Sequence, residues 1–167
     1  MNRKWIQHRF SGSVTRMKQI ILHDIRSNYN VGAIFRTCDG AGVAKVYLVG
    51  FTPTPTDRFG RPVPEIHKTA LGAEQFISWE KAEDILVLIK SLQSQGVVVV
   101  AVEQAQNSIQ LKDFTVPDSV AYIMGSETEG LPQSVLEVVD DVLEIPMLGQ
   151  KESLNVSVAA GIVLYHT

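Results

Sequence analysis

Three stretches of the chain combine glycine with short polar side chains, a combination that can bind a ligand and do chemistry: residues 28–42, 124–132 and 145–165. In the third stretch, an apolar strand leads through a glycine-containing loop to Ser153, Leu154 and Asn155, which open an apolar helix. Such a junction points backbone N–H groups and polar side chains into the crevice at the carboxyl end of a sheet. Ser and Asn are also common helix N-caps, so this stretch taken alone reads as an ordinary helix start.

The first stretch predicts a helix with one buried face. Its apolar residues recur at helical spacing, namely Val31, Ile34, Phe35 and Cys38. Arg36 lies off this face, and on spacing alone it is a surface arginine. Asn30 and Gly32 let the backbone turn closely just before it, and glycines at positions 40 and 42 end the helix.

The second stretch follows an apolar strand and forms a loop bounded by Gly125 and Gly130. Glu127 and Glu129 lie in this loop, where each could be a functional carboxylate or an exposed charge. After the loop, Pro132 suits the first turn of a further helix.

The length and composition predict one domain with a sizeable core, because 45% of the 167 residues are apolar. No apolar run approaches the roughly 18 residues of a membrane span, and the N-terminus lacks the order of a signal peptide. We therefore expect a cytoplasmic protein. Cys38 is the single cysteine, so neither an intrachain disulfide nor a cysteine zinc cluster is possible. We expect no metal, and Cys38 itself is predicted to be a core residue.

Charge is distributed unevenly along a chain whose net charge is −3. Residues 1–68 hold 11 of the 15 basic residues but 4 of the 18 acidic ones, and a basic half of this kind suits a polyanion such as RNA. The alternative is chance clustering on a solvated face. Residues 1–19 could form an RNA-contacting arm or a tail on the body. Candidate phosphate contacts further along are Arg26, Arg58, Arg61 and Lys68.

The hydrophobic pattern alternates strands with helices. Strands are predicted over 19–23, 45–49, 97–102, 121–124 and 142–145, and helices over 31–40, 79–95 with Ser78 as its cap, 131–139 and the C-terminal apolar stretch. Proline-rich residues 52–64 read as a long loop. This alternation predicts a single α/β domain with a largely parallel sheet flanked by helices. No Gly-x-Gly-x-x-Gly pattern follows a strand in the way that a dinucleotide-binding site requires.

In their order along the chain, the three stretches resemble the three motifs of the SpoU/TrmH family, the RNA 2′-O-ribose methyltransferases of the SPOUT superfamily. The resemblance runs from about residue 20 to residue 165 and includes the linking phrase Lys-Thr-Ala-Leu-Gly-Ala-Glu over 68–74. It implies that Arg36, the arginine of Asn-x-Gly-x-x-x-Arg, is catalytic and that Asn30 is the matching asparagine. By the same resemblance, Glu127 orients its neighbours, and Ser153 and Asn155 position Asn30, Arg36 and the ribose.

The resemblance also implies a C-terminal trefoil knot of the SPOUT type, which sequence physics would not propose. Its use in relatives is to shape an S-adenosylmethionine pocket from three loops. The residues that would form this pocket here are Val102, Glu103, Gly125, Gly130, Leu131, Ile145, Met147, Ser153, Leu154 and Asn155. Val102, Leu131, Ile145 and Met147 can hold an adenine between them.

Relatives are homodimers in which the C-terminal helix and the first-motif helix pack across a two-fold axis. The candidate packing face consists of Val156, Ala160, Val163 and Leu164, which could equally be internal core. The division expected is a basic arm over 1–19 and a methyltransferase domain over 20–167.

The function expected from the resemblance is S-adenosylmethionine-dependent methylation of a ribose 2′-hydroxyl in tRNA or rRNA. One alternative is a catalytically silent RNA-binding or assembly protein with the same fold, although the five motif residues all being present speaks against it. Another is a SPOUT enzyme that methylates a base nitrogen. The sequence leaves open which RNA and which nucleotide are bound.

Overall fold

The computed structural model describes residues 16–167, so residues 1–15 of the predicted basic arm lie outside the described residues. Its sheet has seven strands in the order β3-β2-β1-β6-β4-β7-β5, and every neighbouring pair is parallel. The strands are β1 Met17–His23, β2 Lys45–Val49, β3 Ser78–Ala82, β4 Val98–Val102, β5 Ile109–Gln110, β6 Ser119–Met124 and β7 Asp141–Glu144. The parallel α/β sheet predicted from the alternation is confirmed.

Five α-helices accompany the sheet among the described residues: α1 Asn28–Ala41, α2 Pro64–Ala70, α3 Ile85–Ser94, α4 Gln133–Leu136 and α5 Val156–Tyr165. Two short 3-10 turns, Ala73–Gln75 and Leu111–Asp113, complete the regular structure of this part. None of the helices over 16–167 has both the length and the apolar character needed to cross a membrane.

The core is divided by the sheet into two layers. Successive residues of a strand point to opposite faces, so Ile20 and Leu22 of β1 join the layer that contains α1 and α5. Ile21 between them joins the layer that contains α3. Strands β1, β4 and β6 are central, each with a strand on both sides. Helices pack on both faces of the sheet, so the apolar runs of these strands are buried on both faces, as is typical of parallel sheets.

Helix α1 has the buried face that the sequence predicts, but it begins three residues earlier, at Asn28. Asn30 and Gly32, expected to turn the backbone before Arg36, therefore lie within the first turns of the helix. Its four stripe residues are fully buried, and burial raises the pKa of the Cys38 thiol to about 12, as expected of a core cysteine. The Ser27 side chain caps the first turn by accepting a hydrogen bond from the Asn30 N–H. The helix ends at Gly42, whose φ of 69° is the left-handed conformation that glycine adopts without strain.

The predicted helix over 79–95 is wrong in its first half. Residues Ser78–Ala82 form strand β3 instead, which pairs in parallel with β2, and the Lys45 ammonium contacts the Glu80 carboxylate across the two strands at 2.6 Å. The helix proper is capped by Asp84, whose carboxylate accepts from the N–H groups of Leu86 and Val87. Pairing with a neighbouring strand overrides the weak helical preference of this segment.

Three other boundaries differ from expectation. Residues 52–63 form the predicted loop, but Pro64 begins α2, which places Lys68 on a helix rather than in the loop. The helix predicted over 131–139 is reduced to α4. Residues 17–19, assigned to the arm, belong to β1.

The packing face predicted on the last helix is also corrected. Its four members, Val156, Ala160, Val163 and Leu164, are buried within the chain and belong to the core layer of α1. The apolar residues that α5 leaves exposed are Val158, Ile162 and Tyr165. The alternative interpretation, internal core, is therefore the right one for the four residues.

Candidate active site

A cleft of about 470 Å³ opens at the carboxyl ends of β4, β6 and β7, where they face the start of α5. Parallel strands bring their carboxyl ends to one edge of the sheet, so three loops far apart in sequence meet there. The cleft is lined by Val102, Glu103, Gln104, Met124, Gly125, Ser126, Glu127, Thr128, Glu129, Gly130, Leu131, Leu136, Ile145, Met147, Glu152, Ser153, Leu154, Val156 and Ala159. Every residue predicted to contact a cofactor lines this cleft except Asn155.

The loop after β6 is held tightly against the end of β4. The Gly130 N–H donates to the Ser126 carbonyl at 3.0 Å, which closes the loop on itself. The Glu103 carboxylate accepts from the Leu131 N–H at 3.1 Å. A Cβ at Gly130 would come within 2.5 Å of that carboxylate, and the φ of +67° already favours glycine there. Glu103 therefore fixes the loop's shape as well as lining the cleft.

A chain of hydrogen bonds joins the three motifs. The Asn30 side-chain amide donates to Glu127 Oε1 at 2.7 Å, and its carbonyl oxygen accepts from Asn155 Nδ2 at 3.2 Å. The Asn155 carbonyl oxygen in turn caps α5 by accepting from the Ser157 N–H at 2.9 Å. An amide has both a donor and an acceptor end, so Asn30 can serve a carboxylate and a second amide at once.

Arg36 stands apart from the other predicted catalytic residues. Its side chain is exposed on α1, it does not line the cleft, and it makes no hydrogen bond or ion pair with another residue of 16–167. Ser153 does line the cleft, close to the start of α5. The structure thus brings Asn30, Glu127, Ser153 and Asn155 together at the carboxyl end of the sheet. The Arg36 guanidinium makes no hydrogen bond with any of them.

The cleft also contains residues that the sequence analysis did not assign to a site. Gln104 Nε2 donates to the Glu152 carbonyl at 2.7 Å and so ties the loop after β4 to the third motif. Gln104 follows a buried strand directly after Glu103, so its position at the end of that strand could have identified it. Ala159 lines the cleft from one turn inside α5, which no local pattern indicates.

The four candidate phosphate contacts lie outside the cleft. The Arg26 guanidinium lies 5.5 Å from the ring centre of Phe51. Arg58 and Arg61 lie over the ring of Phe59, at 4.7 Å and 5.1 Å. Arg61 also pairs with Asp57 at 2.7 Å, and hydrogen bonds from its backbone N–H and side chain lower the pKa of that carboxyl. Lys68 is exposed on α2. Within residues 16–167, no group of His, Cys, Asp and Glu side chains is arranged to hold a metal ion.

The parallel α/β fold and the cleft at the carboxyl ends of its strands define the class of protein. The chain belongs to the SpoU rRNA Methylase family, whose profile matches residues 17–165, and the resemblance drawn from the three motifs is confirmed.

Among its relatives, the chain is 34% identical over 147 residues to the 23S rRNA (guanosine-2′-O-)-methyltransferase RlmB of Vibrio vulnificus, covering 87% of this chain and 56% of that protein. It is 29% identical over 146 residues to the tRNA (guanosine(18)-2′-O)-methyltransferase of Thermus thermophilus, covering 87% and 71%. The crystal structure of an AdoMet-bound rRNA methyltransferase from Sinorhizobium meliloti superposes with a TM-score of 0.79 at 30% identity, over 90% of this chain and 55% of that one. The chain spans little more than half the length of the first and third of these proteins.

Proposed function

We propose that this protein is an S-adenosylmethionine-dependent RNA methyltransferase that modifies a ribose 2′-hydroxyl. The observation that carries the proposal is the hydrogen-bonded chain from Glu127 through Asn30 to Asn155, which joins all three motifs at the rim of the cleft. Two relatives are named as guanosine 2′-O-methyltransferases, one acting on 23S rRNA and one on tRNA. We therefore propose that the substrate is RNA, either rRNA or tRNA.

The residues of the cleft fit S-adenosylmethionine. A volume of about 470 Å³ is in the range of small-molecule sites, and Val102, Leu131, Ile145 and Met147 supply apolar surface for an adenine. The close approach between Gly130 and Glu103 leaves no room for a side chain, so the loop keeps its backbone available to a ligand. When bound, the cofactor supplies an electrophilic methyl group on a sulfonium, so no metal is needed.

The chain's own residues must orient the hydroxyl and help it to lose its proton. An arginine remains protonated, because its pKa is above ~12, and it is a poor base. We assign to Arg36 the binding of the phosphate next to the target ribose, where its charge lowers the pKa of the 2′-hydroxyl and lets phosphate or water take the proton. Asn30, Glu127, Ser153 and Asn155 position the ribose and the loops around it.

The resemblance implies that the arginine of one subunit serves the pocket of its partner. Arg36 is exposed and does not line the cleft of its own chain, so we propose that it serves the cleft of a second copy in a homodimer. The exposed apolar residues of α5, next to α1, support such an interface. We further propose the trefoil knot of the SPOUT fold around the third motif. We also propose a basic N-terminal arm followed by a methyltransferase domain that begins with β1. The proposed location is the cytoplasm, where RNA substrates are found.

The test is transfer of labelled methyl from S-adenosylmethionine to tRNA and rRNA that lack the modification, followed by nuclease digestion and mass spectrometry. We expect a 2′-O-methyl nucleotide, and a fall in turnover of at least about 100-fold in Arg36→Ala. Lys90→Ala is the matched control, since it removes an exposed cation from α3 on the opposite face of the sheet.

Near wild-type turnover in a folded Arg36→Ala variant contradicts the role of Arg36. Methyl on a base nitrogen contradicts the ribose assignment. Absence of cofactor binding in calorimetry points to an RNA-binding protein without this activity.

A further inference from the structure

Phe51 is an aromatic side chain presented to solvent at the edge of the sheet that carries the cleft. It directly follows Gly50 at the carboxyl end of β2, and 75% of its surface is exposed. Strands β2 and β6 lie on either side of β1, so their carboxyl ends are about 10 Å apart at the usual strand spacing of ~4.8 Å. A group bound to Phe51 would therefore lie beside one bound at the loop after β6.

The turn that holds Phe51 is hydrogen-bonded to a residue with a strained backbone conformation, Asp24. Asp24 has a φ of 57°, a left-handed conformation that is uncommon for a residue with a side chain. Its carboxylate accepts a hydrogen bond from the Phe51 N–H at 2.7 Å. Gly50 has a φ of 63°, and a Cβ there would overlap with the Asp24 carboxylate. Strain of this kind persists only where the surroundings over-determine it, and it is concentrated at functional sites.

Further hydrogen bonds fix the backbone on both sides of the ring. The Lys81 ammonium donates to the carbonyls of Gly50 and Thr52, the latter at 2.9 Å. The Thr52 hydroxyl is buried, donates to the Leu22 carbonyl at 2.8 Å and accepts from the Ile25 N–H at 3.1 Å. Strands β1 and β3 thus order this segment, while the phenyl ring remains largely exposed to solvent. A ring needed only for the core would be buried.

The surroundings of the ring carry positive charge. Arg26, in the loop between β1 and α1, packs its guanidinium against Phe51. The loop after β2 repeats the arrangement at Phe59, which is 66% exposed and flanked by Arg58 and Arg61. Exposed aromatic rings next to arginines match the chemistry of unpaired nucleotides, whose bases stack on such rings while the cations bind phosphates. Arg61 is paired with Asp57, but Arg26 and Arg58 form no ion pair within residues 16–167. A neutral apolar partner would gain nothing from these two guanidinium groups.

We propose that Phe51, backed by Arg26, is a stacking platform for an unpaired RNA base near the nucleotide that enters the cleft. The proposal rests on the proposed function, because it takes RNA as the ligand. The platform selects single-stranded or looped RNA over duplex, since a base within a duplex cannot leave its stack without cost. Phe51 is a positioning residue for the substrate and takes no part in the chemistry.

The experiment compares binding of a fluorescein-labelled single-stranded oligoadenylate 10-mer and of an RNA duplex of the same length by fluorescence anisotropy. Phe51→Ala is expected to weaken single-strand binding by about 5-fold or more, with duplex binding unchanged. Phe51→Trp keeps a stacking ring and is expected to retain binding, whereas Phe51→Leu keeps apolar surface without a π-face and is expected to lose it. Phe76→Ala is the matched control, because Phe76 is 80% exposed but lies before the amino end of β3, at the end of the sheet opposite the cleft.

Equal affinities of Phe51→Ala and the wild-type protein for the single strand overturn the proposal, and so does an equal loss in Phe76→Ala. Full retention in Phe51→Leu also overturns it, because the ring would then be a simple apolar contact of the kind that docks a protein. Calorimetry with S-adenosylmethionine on the same variants separates the two proposals. Unchanged cofactor affinity with weaker single-strand binding supports the platform, while a wild-type protein that binds single-stranded RNA through Phe51 but no cofactor contradicts the proposed function alone.

Discussion

At the residue scale, Asn30 is the side chain on which the candidate active site depends most. It contacts Glu127, 97 residues later, and Asn155, 125 residues later, through opposite ends of one amide. An aspartate could not donate to Glu127, and an alanine would lose both contacts, so the two loops would no longer share a common partner. We therefore expect Asn30 to act through its neighbours, as a positioning residue.

We expect Asn30→Ala to lower kcat for methyl transfer by about 10- to 100-fold, because small misplacements of reacting groups are costly. The KM for S-adenosylmethionine is expected to change little, since Asn30 does not line the cleft. A double variant with Glu127→Ala should be no slower than the slower single variant, as for residues that act as one unit. Losses that multiply, or a fall in thermal stability that accounts for the loss of activity, would contradict this role.

Tyr122 offers a second residue-scale test, independent of function. It is fully buried on β6, its ring meets Phe114 edge-on at 6.5 Å, and its hydroxyl has no hydrogen-bond partner within 16–167. Burial raises the pKa of its phenol to about 12. In the folded protein the phenol therefore stays protonated at a pH where the unfolded chain, with an ordinary value near 10.0, has lost the proton.

The free energy of unfolding should therefore fall as pH rises from about 10 to about 12, and this group should contribute up to about 2 kcal/mol of the fall. Tyr122→Phe should remove that contribution and be as stable as the wild type at pH 7, because it also deletes an unpaired buried hydroxyl. Urea unfolding at pH 7, 10 and 11.5 measures both effects. A variant that loses more than about 1 kcal/mol at pH 7 would show that the hydroxyl is satisfied after all.

At the element scale, α5 presents two faces with different tasks. Its buried face packs on α1 in the core layer that both helices share. Tyr165 is mostly exposed, but its hydroxyl lies close to α1, since a Cβ at Gly40 would come within 2.6 Å of it. Its other face exposes Val158, Ile162 and Tyr165 at helical spacing. An apolar stripe left exposed beside the first-motif helix is typical of an interface between subunits.

We expect Ile162→Glu to convert a dimer into a monomer, because it places a charge in the centre of this stripe. Sedimentation or light scattering measures the mass, and methyl transfer should fall with it if Arg36 serves the partner's cleft. Val87→Glu is the matched control, since Val87 is an exposed apolar residue of α3 on the opposite face of the sheet. An unchanged mass in Ile162→Glu, or a wild-type protein that is already monomeric, contradicts the dimer.

Local sequence patterns predict some helices and strands of this fold correctly and others wrongly. Helix α1 follows its sequence pattern because all four stripe residues, a side-chain cap and a terminal glycine agree. The segment over 78–84 has no such agreement, and its pairing with β2 decides that it is a strand. On α5 the small and branched residues of both faces look alike in sequence, so the pattern could not tell the core face from the exposed one.

At the scale of the whole molecule, the order of the strands in the sheet brings the residues of the candidate active site together. Strand β6 inserts between β1 and β4, which lets the first and second motifs touch although they are far apart along the chain. Parallel neighbours are connected by crossovers, so their order depends on how the whole chain packs and not on any strand's own residues.

The sequence by itself determined the α/β class, the buried strands, the helix stripe of α1 and the motifs that mark the family, because hydrophobic period and local chemistry are written in neighbouring residues. Nine of the ten cofactor contacts implied by the family resemblance line the cleft. Only the tertiary structure decided that Asn30 links Glu127 to Asn155, that Arg36 does not line the cleft of its own chain, and that Phe51 is exposed next to Asp24 and its positive φ. Those features arise from long-range packing and from hydrogen bonds between distant segments, which no local pattern encodes.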